Sequence, residues 1–278
     1  LKRFFQGPVN MLDTSRNYAM GESEKRIGIA IKENGGWPEN FILSTKIDRN
    51  METLVLDKKR TRESIEESLK TLNVDSVDIL FLHDPEYVKD VNDITKKDGA
   101  LDELFKIKEE GLAKAVGLAM GKINIMFPLL KNWDFDVIIN HNRYTLLNRE
   151  ADEMYSYAHS KNISIFNAAP YAGGVLAKGP SNFKKITYQD VTEEKLAPAR
   201  EIEKVCKKYN VEMGAAALQF SMKDKRITST LCGVTSVQSI EKNLSWAQTS
   251  IPDKFWNELL NLPFSTKDPE SERIFTPG

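Results

Sequence analysis

Cysteine is almost missing from this chain of 278 residues: only Cys206 and Cys232 occur, one on the apolar face of an expected helix and one within an expected strand. Two such thiols read as buried and reduced, which excludes a disulfide scaffold and fits a cytoplasmic setting. Histidine is nearly as scarce, with three residues, and no Cys/His spacing suits zinc, so no metal is expected. Charge of one sign is also lacking, since 39 basic and 40 acidic side chains are interleaved to a formal net charge of −1. No basic stripe exists to neutralise phosphates, so nucleic acid is not an expected partner. Apolar runs stop short of the ~18 residues a membrane helix needs, so no membrane association is expected. Neither a signal-peptide pattern nor a G-x-G-x-x-G after a strand is found.

What is present is alternation. Strands are expected over Val9–Thr14, Phe41–Lys46, Val77–His83, Ala113–Ala119, Asp136–His141, Ile163–Ala168 and Ile227–Gly233. Several are apolar on both faces, as parallel strands covered on both sides should be. Between them run helical stripes such as Ile27, Ala30, Ile31 and Ile65, Leu69, Leu72, with spacings of three and four. Strict βα alternation without a linker predicts one domain over residues 1–278 and a (β/α)8 barrel rather than an open sheet. The strand count is seven. The opening Leu1-Lys-Arg-Phe-Phe reads as the tail of an amphipathic helix, so a first strand and helix are expected upstream of this numbering.

Four chemically useful residues stand at consecutive strand ends: Asp13, Tyr18 just beyond the first strand, Lys46 and His83. Long loops at 47–57, 84–98 and 171–192 follow strands, whereas the reverse connections are short. In such barrels the strand-to-helix loops form the active face. A tyrosine titrates near 10, so it needs help to act near neutrality. Lys46 is expected to pull the phenol down, Asp13 to hold Lys46 charged, and His83 to donate a hydrogen bond to a substrate oxygen. With no serine or cysteine nucleophile and no paired carboxylates, this set moves protons and calls for a separate hydride source. Taken singly, Asp13 also reads as a turn cap, Tyr18 as a loop tyrosine and His83 as a core histidine.

The run Asp13-Thr-Ser-Arg-Asn-Tyr18-Ala-Met-Gly-Glu-Ser-Glu24, with Lys46 and His83, resembles the aldo-keto reductases. His83-Asp84-Pro85, Arg143-Tyr144-Thr-Leu-Leu147, Pro170-Tyr-Ala-Gly-Gly-Val-Leu176 and Ala215-Ala-Ala-Leu-Gln-Phe220 look most like the branch of D-threo-aldose and L-fucose 1-dehydrogenases and pyridoxal dehydrogenase. The likeness spans nearly the whole chain. It implies that Tyr18 is the general acid/base, Lys46 and Asp13 its activators and His83 the substrate orienter. It also implies an NAD(P)-dependent oxidoreductase acting at C1 of an aldose, or on a small aldehyde or ketone, as a monomer or weak homo-oligomer. The other reading is a redox-sensing or regulatory subunit that binds the cofactor with little turnover.

The same resemblance assigns cofactor contacts. Gly173, Gly174 and Lys178 match the loop that straps the pyrophosphate, and Gly233, Thr235, Ser236, Ser239 and Asn243 match the adenosine loop and helix start. Three positions depart from the family. Ala168 replaces the stacking aromatic, leaving Tyr171 as the candidate; Ala119-Met120 replaces a Ser-Asn pair; and His141 replaces a glutamine, so His141 or Asn142 is expected to meet the carboxamide. Ser236 also reads as an N-cap, and His141 equally well as structural. Ser239 and Thr235 stand where arginines commonly meet a 2′-phosphate, with Lys242 as a substitute, so NAD, or mixed use of NAD and NADP, is expected.

Overall fold

The computed structural model describes residues 1–271. Seven strands of one sheet follow each other in chain order: β1 Met11–Asp13, β2 Ile42–Ile47, β3 Val77–His83, β4 Ala113–Met120, β5 Val137–His141, β6 Ser164–Ala168 and β7 Ser229–Leu231. Helices separate them, which is the (β/α)8-barrel pattern of parallel strands. The outer strands are shorter than expected, although Asn10 and Thr14 beside β1 still exchange backbone bonds with Ile42 and Ser44. By chain contacts the molecule divides into two compact units.

The first unit comprises Leu1–Met120 and Pro128–Ile138. β1 to β4 pair in parallel, with Asp13 opposite Ser44, Lys46 opposite Phe81 and His83 opposite Ala119. Leu80, Phe81 and Leu82 are all fully buried, as consecutive residues must be when both sheet faces are covered. The helices Glu22–Glu33, Lys58–Leu72 and Ala100–Glu109 supply that cover through Ile27, Ile31, Ile65, Leu72, Leu101 and Leu104. Each such side chain is worth about 1.5–3 kcal/mol of burial. Asp57 caps the second of these helices by accepting from Arg60 N at 2.8 Å, and Asn73 ends it in the left-handed region at φ 60°. Gly28 lets the first helix touch the second: a Cβ there would lie 2.0 Å from the Thr71 carbonyl oxygen.

The second unit comprises Gly121–Phe127 and the described residues from Ile139 onward. β6 and β7 pair in parallel from Phe166 opposite Ser229 to Ala168 opposite Leu231. The helix Met213–Lys223 is buried from Met213 through Ser221. Its Gly214 faces the Trp246 ring, which a Cβ would meet at 2.2 Å. Buried Asn167 is satisfied by the Tyr144 carbonyl, Ser221 and the Tyr155 hydroxyl, so this part of the polar core is paired. The segment from Phe264 onward lies along residues 147–149 through Ser265 and is tied down by Arg143 to Asp268 and Glu270. Among the described residues no helix is long and apolar enough to cross a membrane.

Candidate active site

Strand ends in the first unit bring the four candidate residues together. Asp13 closes β1, and its carboxylate accepts from Lys46 Nζ at 2.6 Å and from Ser44 Oγ at 2.7 Å. Lys46 is 1% exposed and also donates to the Thr14 carbonyl at 2.7 Å. An unpaired ammonium could not remain charged at that depth. Burial pulls the lysine down, but Asp13 and the Tyr18 phenol outweigh it, so Lys46 stays protonated well above its ordinary range.

The turn after β1 presents Tyr18. Ala19 and Met20 follow it at φ 52° and 54°, both left-handed and neither a glycine, a strain of about 1–3 kcal/mol each. Below the turn, Thr14 and Ser23 share a 2.8 Å bond, and buried Glu24 accepts from Thr45 at 2.5 Å. The Lys46 ammonium lies 4.6 Å from the Tyr18 ring centroid, and the His83 ring meets the phenol edge-on at 5.7 Å.

The phenol does not titrate in the expected direction. Burial pushes it up to about 12; Lys46 pulls it down, while Asp13 and Asp84 add to the rise. The expected pull from Lys46 is present but does not win, because two carboxylates and the loss of water oppose it. Tyr18 keeps 41% of its surface in solvent, so water offsets part of the rise. Either way the group is a neutral phenol at pH 7, a proton donor held against a fixed cation.

His83 has a partner that the sequence reading missed. Asp48 is 1% exposed and its Oδ1 lies 2.6 Å from His83 Nδ1; its Oδ2 accepts from Ser15 Oγ at 2.5 Å and from Asn17 N at 3.0 Å. The signal was available: Lys46-Ile47-Asp48 places two charges at a spacing of two, which is one side of a strand. Burial resists ionisation of Asp48, but His83, Ser15 and the Asn17 amide hold its carboxyl below the usual range. Burial likewise lowers His83, while Asp84 and Asp48 outweigh it and the imidazole is raised overall. Ser15, His83 and Asp48 do not form a nucleophilic triad. Ser15 Oγ faces the same Nδ1, at 3.3 Å, that Asp48 holds, and its proton goes to Asp48. A cleft of about 850 Å³ lies beside this group, lined by Arg16, Asn17, Met20 and Lys25, and none of the four candidate side chains lines it.

The expected cofactor residues form local groups in the second unit. His141 Nδ1 lies 3.4 Å from Asn142 Nδ2 and 3.5 Å from Glu270, and Asn142 is buried with φ 63°. Tyr171 donates to Asn243 Oδ1 at 2.6 Å, accepts from the Cys232 thiol, and packs its ring at 63° on Trp246. Gly173 and Gly174 have φ of 75° and 119°; a Cβ on Gly173 would lie 2.7 Å from the Tyr188 amide nitrogen. Lys178 is exposed, with its ammonium 4.2 Å from the Phe183 ring centroid. Gly233, Thr235 and Ser236 are exposed ahead of the helix Val237–Gln248, where Ser236 and Ser239 make a reciprocal capping box. Nothing lies within 4 Å of a Cβ at Gly233. Bare backbone leading into a helix start, beside hydroxyl side chains, is a donor set that fits a phosphate-bearing ligand such as a dinucleotide. Lys242 is engaged: its ammonium is 2.5 Å from Glu212 Oε2.

The model of the Aldo/keto reductase family matches residues 1–262. An L-galactose dehydrogenase of Arabidopsis thaliana is 29% identical over 257 residues, which is 88% of this chain and 76% of that protein. A D-threo-aldose 1-dehydrogenase of a Pseudomonas species is 27% identical over 285 residues, covering 93% and 85%. Among solved structures, the holo form of an aldo-keto reductase from Bacillus halodurans superposes with a TM-score of 0.78 at 19% identity, over 98% of this chain and 88% of that one. This last likeness concerns the fold alone.

Proposed function

Because the chain belongs to the aldo/keto reductase family and is an oxidoreductase of carbonyl and CH–OH groups, we propose that it acts at C1 of an aldose with Tyr18 as general acid/base. The observation that carries this reading is the contact of three groups. A buried ammonium fixed by Asp13 lies 4.6 Å from the Tyr18 ring, and His83 stands edge-on to the same ring. In reduction, the phenol gives its proton to the carbonyl oxygen and Lys46 stabilises the phenolate left behind. In oxidation, the phenolate takes the proton of the anomeric hydroxyl. His83 orients the reacting oxygen.

The cofactor proposed is NAD, or NAD and NADP together, and the chemistry it supplies when bound is hydride transfer. Gly173, Gly174, Lys178, Gly233, Thr235, Ser236 and Ser239 are the residues proposed to hold it, with His141 and Asn142 for its carboxamide. Tyr171 and Asn243 belong to this set through their mutual hydrogen bond, which would steady the loop that carries the two glycines. The preference for NAD rests on the absence of arginine between Gly233 and Asn243 and on the pairing of Lys242 with Glu212. Two relatives named for aldoses support the substrate class. Two free cysteines suit the proposed cytoplasmic setting.

The test is a panel of aldoses and small aldehydes with NAD and NADP, read by cofactor absorbance. Turnover on at least one aldose is expected. Tight cofactor binding without turnover on any member would overturn the enzyme reading.

A further inference from the structure

Proton placement around His83 follows from what Asp48 can and cannot do. An ionised carboxylate only accepts hydrogen bonds, so the 2.6 Å contact with Asp48 Oδ1 puts a proton on His83 Nδ1. Ser15 cannot take that role from the other side, because its hydroxyl proton is committed to Asp48 Oδ2 at 2.5 Å. A neutral imidazole with its proton on Nδ1 leaves Nε2 as a bare acceptor. An acceptor is the wrong polarity for orienting a carbonyl oxygen. For Nε2 to donate, the ring must carry both protons.

We propose that Asp48 is a positioning residue that holds His83 as an imidazolium with its Nε2–H turned toward the reacting oxygen. The proposal rests on the reading of this group as the reactive site. The surroundings of Asp48 suit that role, since it is 1% exposed, its own amide donates to Ser64 Oγ at 3.0 Å, and both carboxylate oxygens are engaged. The other charged or titratable groups facing His83 are Asp84, Lys46 and Tyr18. Asp84 Oδ1 is 3.8 Å from Nε2, too far for a hydrogen bond but near enough to favour the cation. Lys46 opposes it, and Tyr18 is neutral. The opposite strand position, Ala119, carries no charge.

Asp48→Asn isolates the charge, since an amide oxygen can accept the same Nδ1–H without stabilising the cation. Two readouts are paired. The first is kcat/KM for carbonyl reduction against pH: the alkaline limb should move down by about one unit, giving a loss of about tenfold near pH 8 and under about twofold near pH 5.5. A uniform loss at all pH values would make Asp48 merely structural and overturn the proposal. The second is ¹⁵N NMR of histidine-labelled protein, which needs no turnover; only three histidines are present, and the His83→Gln spectrum identifies the signal. In the wild type His83 should stay doubly protonated above the ordinary histidine value of about 6.5. Titration at or below that value overturns the proposal, even if Asp48→Asn fails to fold. A protein without activity but with His83 held protonated would fail the enzyme reading and leave the dyad standing.

Discussion

Lys46 Nζ lies 2.6 Å from Asp13 Oδ2 across two adjacent parallel strands, and 1% of the lysine reaches solvent. Such a pair is costly to break from one side, because the remaining charge is left buried. Asp13→Asn should therefore lower stability by about 3–5 kcal/mol, and Asp13→Asn with Lys46→Met should recover most of it. Denaturant unfolding of the two singles and the double completes the cycle. Lys46 is raised in the folded chain, so its contribution is fully present below the ordinary lysine value and fades as pH rises through the folded one. The pair should thus be insensitive to pH across the neutral range.

Tyr18→Phe removes one proton donor and little packing, since the residue is 41% exposed. Turnover should fall by about 10²–10⁴-fold, with the melting temperature and cofactor affinity nearly unchanged. Fluorescence titration of the cofactor beside steady-state kinetics checks both halves. Because the phenol sits between its ordinary 10 and about 12, wild-type carbonyl reduction should show no loss from Tyr18 ionisation below about pH 9. Unchanged turnover in the variant would remove Tyr18 from the mechanism.

How far the sequence reached depended on how local each signal was. Strand ends carrying Asp13, Lys46 and His83 follow from apolar runs that stop at a charge, and β3 Val77–His83 has the expected bounds. Asp48 was open to the same period-of-two reasoning, but its partner His83 is 35 positions away and nothing local announces the contact. The sign of the Tyr18 shift was out of reach for a different reason. It is a balance of burial and three charges, and only the geometry weights them. Tyr171 illustrates a third limit: its ring packs on Trp246 and its hydroxyl binds Asn243, 72 positions on. Arg143 and Glu270 are separated by 127 positions, and no periodicity links them.

That distant cluster gives a pH prediction. Arg143 is 1% exposed and faces Asp268, Glu270 and Glu150, three carboxylates to one guanidinium. Burial raises the Glu150 carboxyl to about 7, with Asp268 and Glu270 adding and Arg143 opposing. The folded chain therefore binds this proton more tightly than the unfolded one. The stability it contributes is fully present below about pH 4.5 and is lost as pH rises through about 7. Glu150→Gln mimics the protonated form, so it should stabilise by about 1–3 kcal/mol near pH 8 and by almost nothing near pH 4. Melting curves at the two pH values should show a rise of about 2–6 °C at the higher one only. Equal shifts at both would place the effect in packing.

If the segment from Gly233 to Asn243 holds the adenosine end as proposed, cofactor choice should turn on a single cation. Between Gly233 and Asn243 the only basic residue is Lys242, and its ammonium lies 2.5 Å from Glu212 Oε2. A 2′-phosphate arriving at exposed Thr235 and Ser236, ahead of the helix start, would have to compete with that carboxylate or do without a cation. NAD carries no such phosphate and meets no such cost, so kcat/KM should be higher with NAD than with NADP. Glu212→Gln releases Lys242 without touching the Ser236–Ser239 capping box. The pair is about half exposed on each side, so its release is worth about 0.2–1 kcal/mol. The NAD-to-NADP ratio should accordingly narrow by about two- to fivefold, through better use of NADP and with NAD kinetics unchanged. A salt series separates charge from shape, because the NADP gain should shrink as ionic strength rises. An unaltered ratio would mean that Lys242 does not reach the phosphate and that discrimination lies in the hydroxyl side chains of this segment.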